Sequence, residues 1–454
     1  MTSLRGFLES ARAELPAPAL VRWASIFFSL SVLTLLVSLF VAQLFLGLAG
    51  FACTLHVVRT RSLPEFPQVK LPLALFCLFS VISVFWAENP AVGGFVVRKL
   101  VLFSILLMAV NLVISARHLK FLYQGLFVES GVVGALAAFQ FVMQYHAAER
   151  LHPGQIYIYM RGDRIHGLMG HWMNFGGQQM LVSLALFAFL LLDRHMTTGL
   201  SPVRGITVPR DAASESGRQF TRGKIWWWLI LVMIATSVVL NFSRGIWLGS
   251  FIACIYLVGR WRARWLWVLP VLLMVGYWIS PDLIRRRIDS VKHPSTDPSL
   301  AIRFEMWQVG LRMIQSHPLV GVGPNNIPET YTLYLPPGKS PIVGYREHLH
   351  DDYLQLAAER GLPCLAAWLW LIVAFAHQAL RIRRKLMRDP STVDSVWVAE
   401  AAFSCVLAFA TEGIFEFNFG TSPVLMVFLF IVTTPFVVER ASERLKGSSQ
   451  EEKS

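Results

Sequence analysis

The sequence predicts an all-α polytopic membrane protein of about twelve transmembrane helices, interrupted by one long, partly helical loop on the outer side. Three observations predict it. The 454 residues are 55% hydrophobic and only 15% charged, against about 25% charged in soluble chains. So large an apolar excess has no place in one water-soluble core, which excludes a soluble enzyme and a disordered or collagen-like chain. The apolar residues also fall in runs long enough for a bilayer, about 20 residues, and the basic residues gather in loops of one side.

The runs centre on 23–39, 41–58, 71–87, 99–115, 121–143, 173–192, 225–241, 245–259, 265–280, 353–378, 394–414 and 422–438. The first two nearly fuse, and the seventh and eighth share the junction Asn241-Phe-Ser-Arg-Gly245, so ten to thirteen spans fit the same pattern. Met1–Leu20 mixes Arg5, Glu9, Arg12 and Glu14 with apolar residues and reads as an interfacial helix, an uncleaved anchor rather than a signal peptide. With the N-terminus cytoplasmic, 26 of the 41 Lys and Arg lie in cytoplasmic segments, which puts both termini inside. That placement, and not nucleic-acid binding, accounts for the net charge of +13. Cys53, Cys77, Cys254, Cys364 and Cys405 sit within apolar runs without CxxC spacing and read as small buried hydrophobes.

Three regions follow. Residues 1–281 form an N-terminal bundle of about nine spans, with a polar, flexible cytoplasmic linker at 193–224. Residues 282–350 are the long outer loop, and 351–454 carry about three spans and a cytoplasmic tail. In the outer loop Asp297-Pro298 makes an N-cap followed by proline at the first helical position. Trp307, Leu311 and Ile314 repeat at helical spacing, predicting an amphipathic helix over Leu300–Ser316. A turn at Gly321-Val-Gly323-Pro324 and a second helical stretch from about His350 come next.

The basic residues outside the positive-inside trend cluster at Arg98 and Lys99, at Arg150, Arg161 and Arg164, at Arg244, and in the outer loop; an anionic ligand on the outer side is one reason for them. Arg244 lies in the tight turn Ser243-Arg244-Gly245, where an arginine needs a partner unless it snorkels. Arg303 precedes Trp307 by one helical turn. Arginine forks match phosphate oxygens in pairs. The densest cluster, Glu347-His348-Leu-His350-Asp351-Asp352-Tyr353, sits where the outer loop re-enters the membrane. Three readings stand there: a general base, since histidine titrates near neutral pH; a helix cap made by Asp351 and Asp352; or a metal site on His348-x-His350-x-Asp352, which lacks the final histidine of the metallo-hydrolase pattern. Gly321-x-Gly323 has no Lys-Ser/Thr and so is no phosphate loop. Glu129, Glu400, Glu412 and Glu416 in or beside spans read either as proton-relay groups or as packed, Arg-paired structural carboxylates.

The order of motifs resembles the O-antigen ligase family, whose superfamily includes O-antigen polymerases and protein O-oligosaccharyltransferases. Trp86-Ala-Glu-Asn-Pro90, Arg164-Ile-His-Gly167 with Asn174-Phe-Gly, and Ser243-Arg-Gly245 come first. Arg303-x3-Trp307, His317-Pro-Leu-Val-Gly321-Val-Gly323, and His350-x3-Leu354-Gln355 with Glu359-x-Gly361 follow, so the resemblance runs from about Phe76 to Phe417. Asp351 stands where ligases usually carry Asn, Ser or Gln, and Gly361-Leu-Pro-Cys364 departs from the usual end of the motif, which leaves ligase and polymerase both open.

The resemblance implies a metal-independent, inverting glycosyltransferase of the GT-C type, without cofactor, at the periplasmic face of a bacterial inner membrane. Its donor would be a glycan on undecaprenyl diphosphate. Its acceptor would be lipid A–core oligosaccharide for a ligase, or a second lipid-linked glycan for a polymerase. Carried over, Arg244 and Arg303 would hold the diphosphate and His350 would sit beside the acceptor hydroxyl, with His348 or Asp351 orienting its ring. Arg164, Arg161, His348, Asp351 and Trp307 would contact substrate. A transporter or flippase using Glu129 or Glu412 is the rival of another class.

Overall fold

A computed structural model describes residues 18–193, 210–290, 298–341 and 347–451, the side chains of 210–224, 298–299, 445 and 447–451 excepted. The interfacial helix expected at Met1–Leu20 and the cap expected from Asp297 fall largely or wholly outside these residues. All regular structure among the described residues is helical. The helices are α1 (Ala19–Val32), α2 (Leu39–Thr60), α3 (Lys70–Phe85), α4 (Pro90–Val97), α5 (Ser104–Leu112), α6 (Ala116–Leu151), α7 (Ile156–Gly162), α8 (Trp172–Leu192) and α9 (Arg210–Leu240). They continue with α10 (Arg244–Arg262), α11 (Val268–Ile279), α12 (Asp282–Asp289), α13 (Pro298–Ser316), α14 (Ile327–Thr330), α15 (Asp352–Arg388), α16 (Val396–Glu412) and α17 (Ser422–Glu451).

Each of the twelve apolar runs is mainly helical, and among the described residues seven helices are long and apolar enough to cross a membrane. The protein is therefore built as a multi-pass membrane protein. Among the described residues the apolar helices Ala19–Val32, Lys70–Phe85 and Val268–Ile279 have only 10–17 residues, short of the roughly 20 a perpendicular crossing needs; helix length thus gives fewer full spans than hydropathy does. The first two runs are separate because the chain turns at Leu33–Ser38, where Ser38 accepts from Val41 N at the start of α2. The run at 99–115 begins earlier than its apolar centre. Pro90 opens α4 at its first turn, and a 3₁₀ stretch from Arg98 to Phe103 leads into α5. The segment read as a flexible linker is helical from Arg210 onward, while 194–209 lies outside the described residues.

α16 is the hub, packed by α8, α10, α15 and α17. Since apolar side chains gain little on leaving lipid for a protein neighbour, close backbone approach and dispersion hold such bundles. Gly249 of α10 shows this: a Cβ there would lie 2.7 Å from Ala408 O of α16. Tyr123 and Thr434 share a hydrogen bond across this interior at 2.8 Å. A second small core, Met306, Val309, Met313, Val322, Ile327, Tyr331 and Leu349, fixes α13 beside the start of α15.

Candidate active site

Backbone ties set the site before any side chain reaches it. α15 breaks at Gly361, whose φ of +82° is left-handed, and Pro363 follows within the same helix. The break leaves Ala358 O and Glu359 O to accept from Val322 N and Gly323 N at 2.9 Å each, while Leu362 N donates to Pro318 O at 2.8 Å. Gly321 packs so tightly that a Cβ would lie 2.2 Å from Glu359 C. The His317–Gly323 and Glu359-x-Gly361 motifs are thus the two halves of one stitch. Asn326 extends it by accepting from Asn89 N at 2.8 Å, which draws in the Trp86–Pro90 motif.

The segment Arg164–Trp172 is clasped likewise. Gln140 exchanges hydrogen bonds with Gly167 at 2.8 and 3.0 Å, and Asn241 donates to Ile165 O at 3.3 Å and Trp172 O at 3.0 Å. At the head of α15, Asp351 accepts from Leu354 N at 2.8 Å as the N-cap. Asp352 donates its N–H to Gly413 O at 2.7 Å and accepts from Phe419 N at 3.1 Å. These bonds fasten the loop between α16 and α17, and Phe419 anchors it in rings of Phe76 and Trp368, 5.5 Å away each.

On that loop stands Glu416. One carboxylate oxygen meets Arg303 Nη2 at 2.6 Å and the other meets His350 Nδ1 at 2.9 Å; Arg303 also donates from Nη1 to Phe415 O. All three side chains are largely buried, Glu416 at 3% exposure. Burial alone would raise the Glu416 pKa, but the Arg303 charge and the His350 hydrogen bond outweigh it and hold the carboxyl well below the usual range. An ionised carboxylate only accepts, so neutral His350 must donate from Nδ1 and keep its Nε2 lone pair. The backbone of His350 is left-handed, at φ +52°. Leu349 holds it there: its side chain is wholly buried, and its N–H donates to Gln355 Oε1 at 2.7 Å. The His348 ring lies edge-on to His350 with centroids 4.2 Å apart. Burial, and then His350, push its pKa down to about 3, so it is neutral near pH 7.

The remaining sequence candidates divide. Arg164 stacks on Trp172 at 3.9 Å and donates from Nε to Arg161 O at 3.0 Å. Burial and then the neighbouring Arg287 pull its pKa down to about 9, with Arg303 and Arg161 adding to the pull and Glu416 opposing it; it therefore belongs to the same electrostatic cluster and stays charged. Arg244 opens α10 and reaches Ser290 Oγ at 3.2 Å, not the histidine. Its neighbour Gly245 nevertheless packs on Phe415, where a Cβ would lie 2.9 Å away. Trp307 is half-buried beside Phe304, with its indole N–H buried and lacking a hydrogen-bond partner. Asp351 caps the helix and does not touch the His350 ring; Glu416 is the group that holds it. Asp352, the third member of the metal reading, bonds into the α16–α17 loop, and among the described residues no group of three or more His, Cys, Asp or Glu could hold a metal ion.

Sequence reading weighed Glu416 only as a relay or structural carboxylate and did not single out Arg287. Arg287 is 3% exposed and donates from Nε to Phe242 O at 3.0 Å. His171 caps α8 and has its pKa lowered by burial, with Glu416 opposing.

A helical membrane bundle whose polar loops gather arginines, histidines and one ionised carboxylate at one end is the class of protein defined here. Residues 229–369 match the sequence model of the O-antigen ligase family, which bears out the resemblance over a stretch from α9 to α15. The family points to a glycosyltransferase-like activity on lipid-linked glycans. No curated protein matches the chain. The matched stretch holds Arg244, Arg287, Arg303 and His350; Glu416 lies beyond it.

Proposed function

We propose that the chain is an O-antigen ligase that moves a glycan from undecaprenyl diphosphate to a sugar hydroxyl of lipid A–core. On this reading the chain crosses the inner membrane about twelve times, with both termini cytoplasmic and residues 282–350 forming a periplasmic loop. The observation that carries the proposal is the Glu416 carboxylate bonded to Arg303 on one side and His350 Nδ1 on the other. This leaves His350 Nε2 as the acceptor for a proton, the arrangement a general base requires.

The chemistry then follows in one displacement. The acceptor oxygen attacks the anomeric carbon as its proton passes to His350 Nε2, and the bond from that carbon to the phosphate oxygen breaks with its electron pair on the leaving diphosphate. Attack opposite the leaving group inverts the anomeric centre. Guanidinium groups placed beforehand stabilise the growing negative charge, most strongly where water is scarce. Arg244 and Arg164 supply such charge, and Arg303 adds its remaining N–H groups while fixing Glu416. His348, neutral and against His350, lines the acceptor side with Trp307.

The test is transfer by the purified protein given an undecaprenyl-diphosphate-linked glycan and lipid A–core. Glycan attached to lipid A–core, and lost in His350→Ala, supports ligation. A lengthened undecaprenyl-linked chain without attachment makes the protein a polymerase. No change in the donor under either condition rejects the transferase reading.

A further inference from the structure

The far end of α15 carries a stripe of cations that the site at its head does not use. Arg381, Arg384, Lys385 and Arg388 recur at the three- and four-residue spacing that puts side chains on one helical face. With Asp389, Pro390 and Lys446 of α17 they line a cavity of about 590 Å³, within the range of small-ligand sites. Carboxylates are bonded to three of these cations. Arg381 meets Glu439 at 2.8 Å, Lys385 meets Glu439 at 3.0 Å and Glu443 at 2.6 Å, and Lys446 meets Asp389 at 2.7 Å. Five cations against these three carboxylates leave a surplus of two positive charges. Arg384 and Arg388 are exposed and have no ion pair among the described residues.

Cations near a helix C-terminus offset its dipole, but that effect belongs to the last turn, and Arg381 and Arg384 stand before it. The rest of the face accounts for them. Leu369, Trp370 and Val373 lie on the same side of α15 as Arg384 and Arg388 by helical spacing, and they are 39%, 46% and 62% exposed. Val373 and Arg384 are about three turns apart, roughly 16 Å. α15 is also one of the helices long and apolar enough to cross a membrane. One exposed face is therefore apolar where it would meet acyl chains and basic where it would meet headgroups. A water-soluble anion has no use for the apolar half, whereas a lipid with negative charge uses both. Basic pockets between spanning helices hold anionic headgroups in this way. Roughly 50 Å of helix separates Arg384 from His350, so the pocket lies at the end of the bundle away from the candidate active site.

We propose that this pocket binds the headgroup of an anionic phospholipid carrying two phosphates, with Arg384 and Arg388 on the phosphates and an acyl chain along Trp370 and Val373. The inference does not depend on the transferase reading. It is tested on the full-length protein in neutral detergent. The probes are diphosphatidylglycerol, a zwitterionic phosphatidylethanolamine with the same acyl chains, and inorganic pyrophosphate; Kd is read by native mass spectrometry beside the thermal midpoint. The wild type should bind diphosphatidylglycerol about tenfold or more tightly than the zwitterionic lipid, and only the former should raise the midpoint. Arg384→Gln and Arg388→Gln should each weaken that binding about fivefold, and together about thirtyfold. Their midpoints without lipid should match the wild type, because both side chains are exposed. Arg59→Gln with Arg61→Gln, exposed cations at the end of α2 outside this cavity, should change the Kd less than about threefold. Equal binding of the two lipids, an unchanged Kd in the double variant of α15, or an equal loss in the α2 pair overturns the proposal. Pyrophosphate bound as tightly as diphosphatidylglycerol makes this a site for a soluble anion and overturns the lipid assignment.

Discussion

Glu416 holds the His350 ring through Nδ1 at 2.9 Å, and that bond decides which nitrogen of the imidazole can accept a proton. Replacing the carboxylate by an amide removes the charge that favours the Nδ1–H tautomer and the ion pair to Arg303 in one step. Glu416→Gln should lower kcat for transfer by about 10²–10⁴-fold, with a smaller change in donor KM. Activity within twofold of wild type in the purified assay would sink the proposed role of Glu416.

Arg303 bonds two groups of the α16–α17 loop, Glu416 and Phe415 O. A lysine reaches one of them at most. Arg303→Lys should therefore behave like a weaker Glu416→Gln, losing about tenfold or more in kcat while inserting and purifying normally. Equal loss of transfer and of thermal midpoint would show that the residue only holds the loop.

Much of the fold was legible in the sequence because apolar period and length report directly on helices in lipid. The helix over Leu300–Ser316 and the helical stretch after His350 appear within two residues of where their caps and prolines put them. The pairing at the centre of the site was not legible. Glu416 and Arg303 are 113 residues apart in the chain, and a carboxylate beside an apolar run looks the same whether it is packed, capping or catalytic. The bonds from Asp352 to Gly413 and Phe419 help bring that loop to His350. Arg287 is hidden for another reason: it is one of three consecutive arginines, and the turn at Phe242 determines which of them faces inward. The start of α9 at Arg210 was masked by polar composition, which resembles that of a loop.

The glycines of the stitch are testable by their geometry. Gly361 has a φ of +82°, and a Cβ there would fall 2.2 Å from Leu319 O. Gly361→Ala must distort α15 or push the outer turn away, at a cost of about 2 kcal/mol or more. The thermal midpoint should fall clearly, and transfer should fall with it because His350 sits at the head of that helix. Gly338→Ala, also at positive φ but with nothing within 4 Å, should lose less. Equal midpoints for the two variants would contradict the stitch.

Glu129 separates the transferase from a carboxylate-driven transporter. Its Oε1 accepts from Leu36 N at 2.9 Å, in the turn between α1 and α2. This is a cap on a backbone break inside the bundle, where an unmet N–H is costly. Glu129→Gln keeps an acceptor oxygen and should leave transfer within about threefold of wild type, with a modest loss of midpoint. Abolished function in a protein of unchanged midpoint would favour the transporter reading.

Asp351 gives a pH signature with a definite sign. It caps α15 through Leu354 N, and burial lifts its pKa to about 6, above the about 3.9 of an unfolded chain. A carboxyl that binds its proton more tightly when folded destabilises the fold once ionised. Stability is therefore highest below about pH 4 and declines as pH rises toward 6, after which this contribution is flat. Asparagine keeps the capping oxygen without the charge. Asp351→Asn should match the wild type in thermal midpoint near pH 4 and exceed it near pH 7.5, by an amount on the order of 2 kcal/mol. Midpoints in detergent at the two pH values check this. A difference between variant and wild type that is the same at both would mean that burial does not raise the Asp351 pKa in the folded protein.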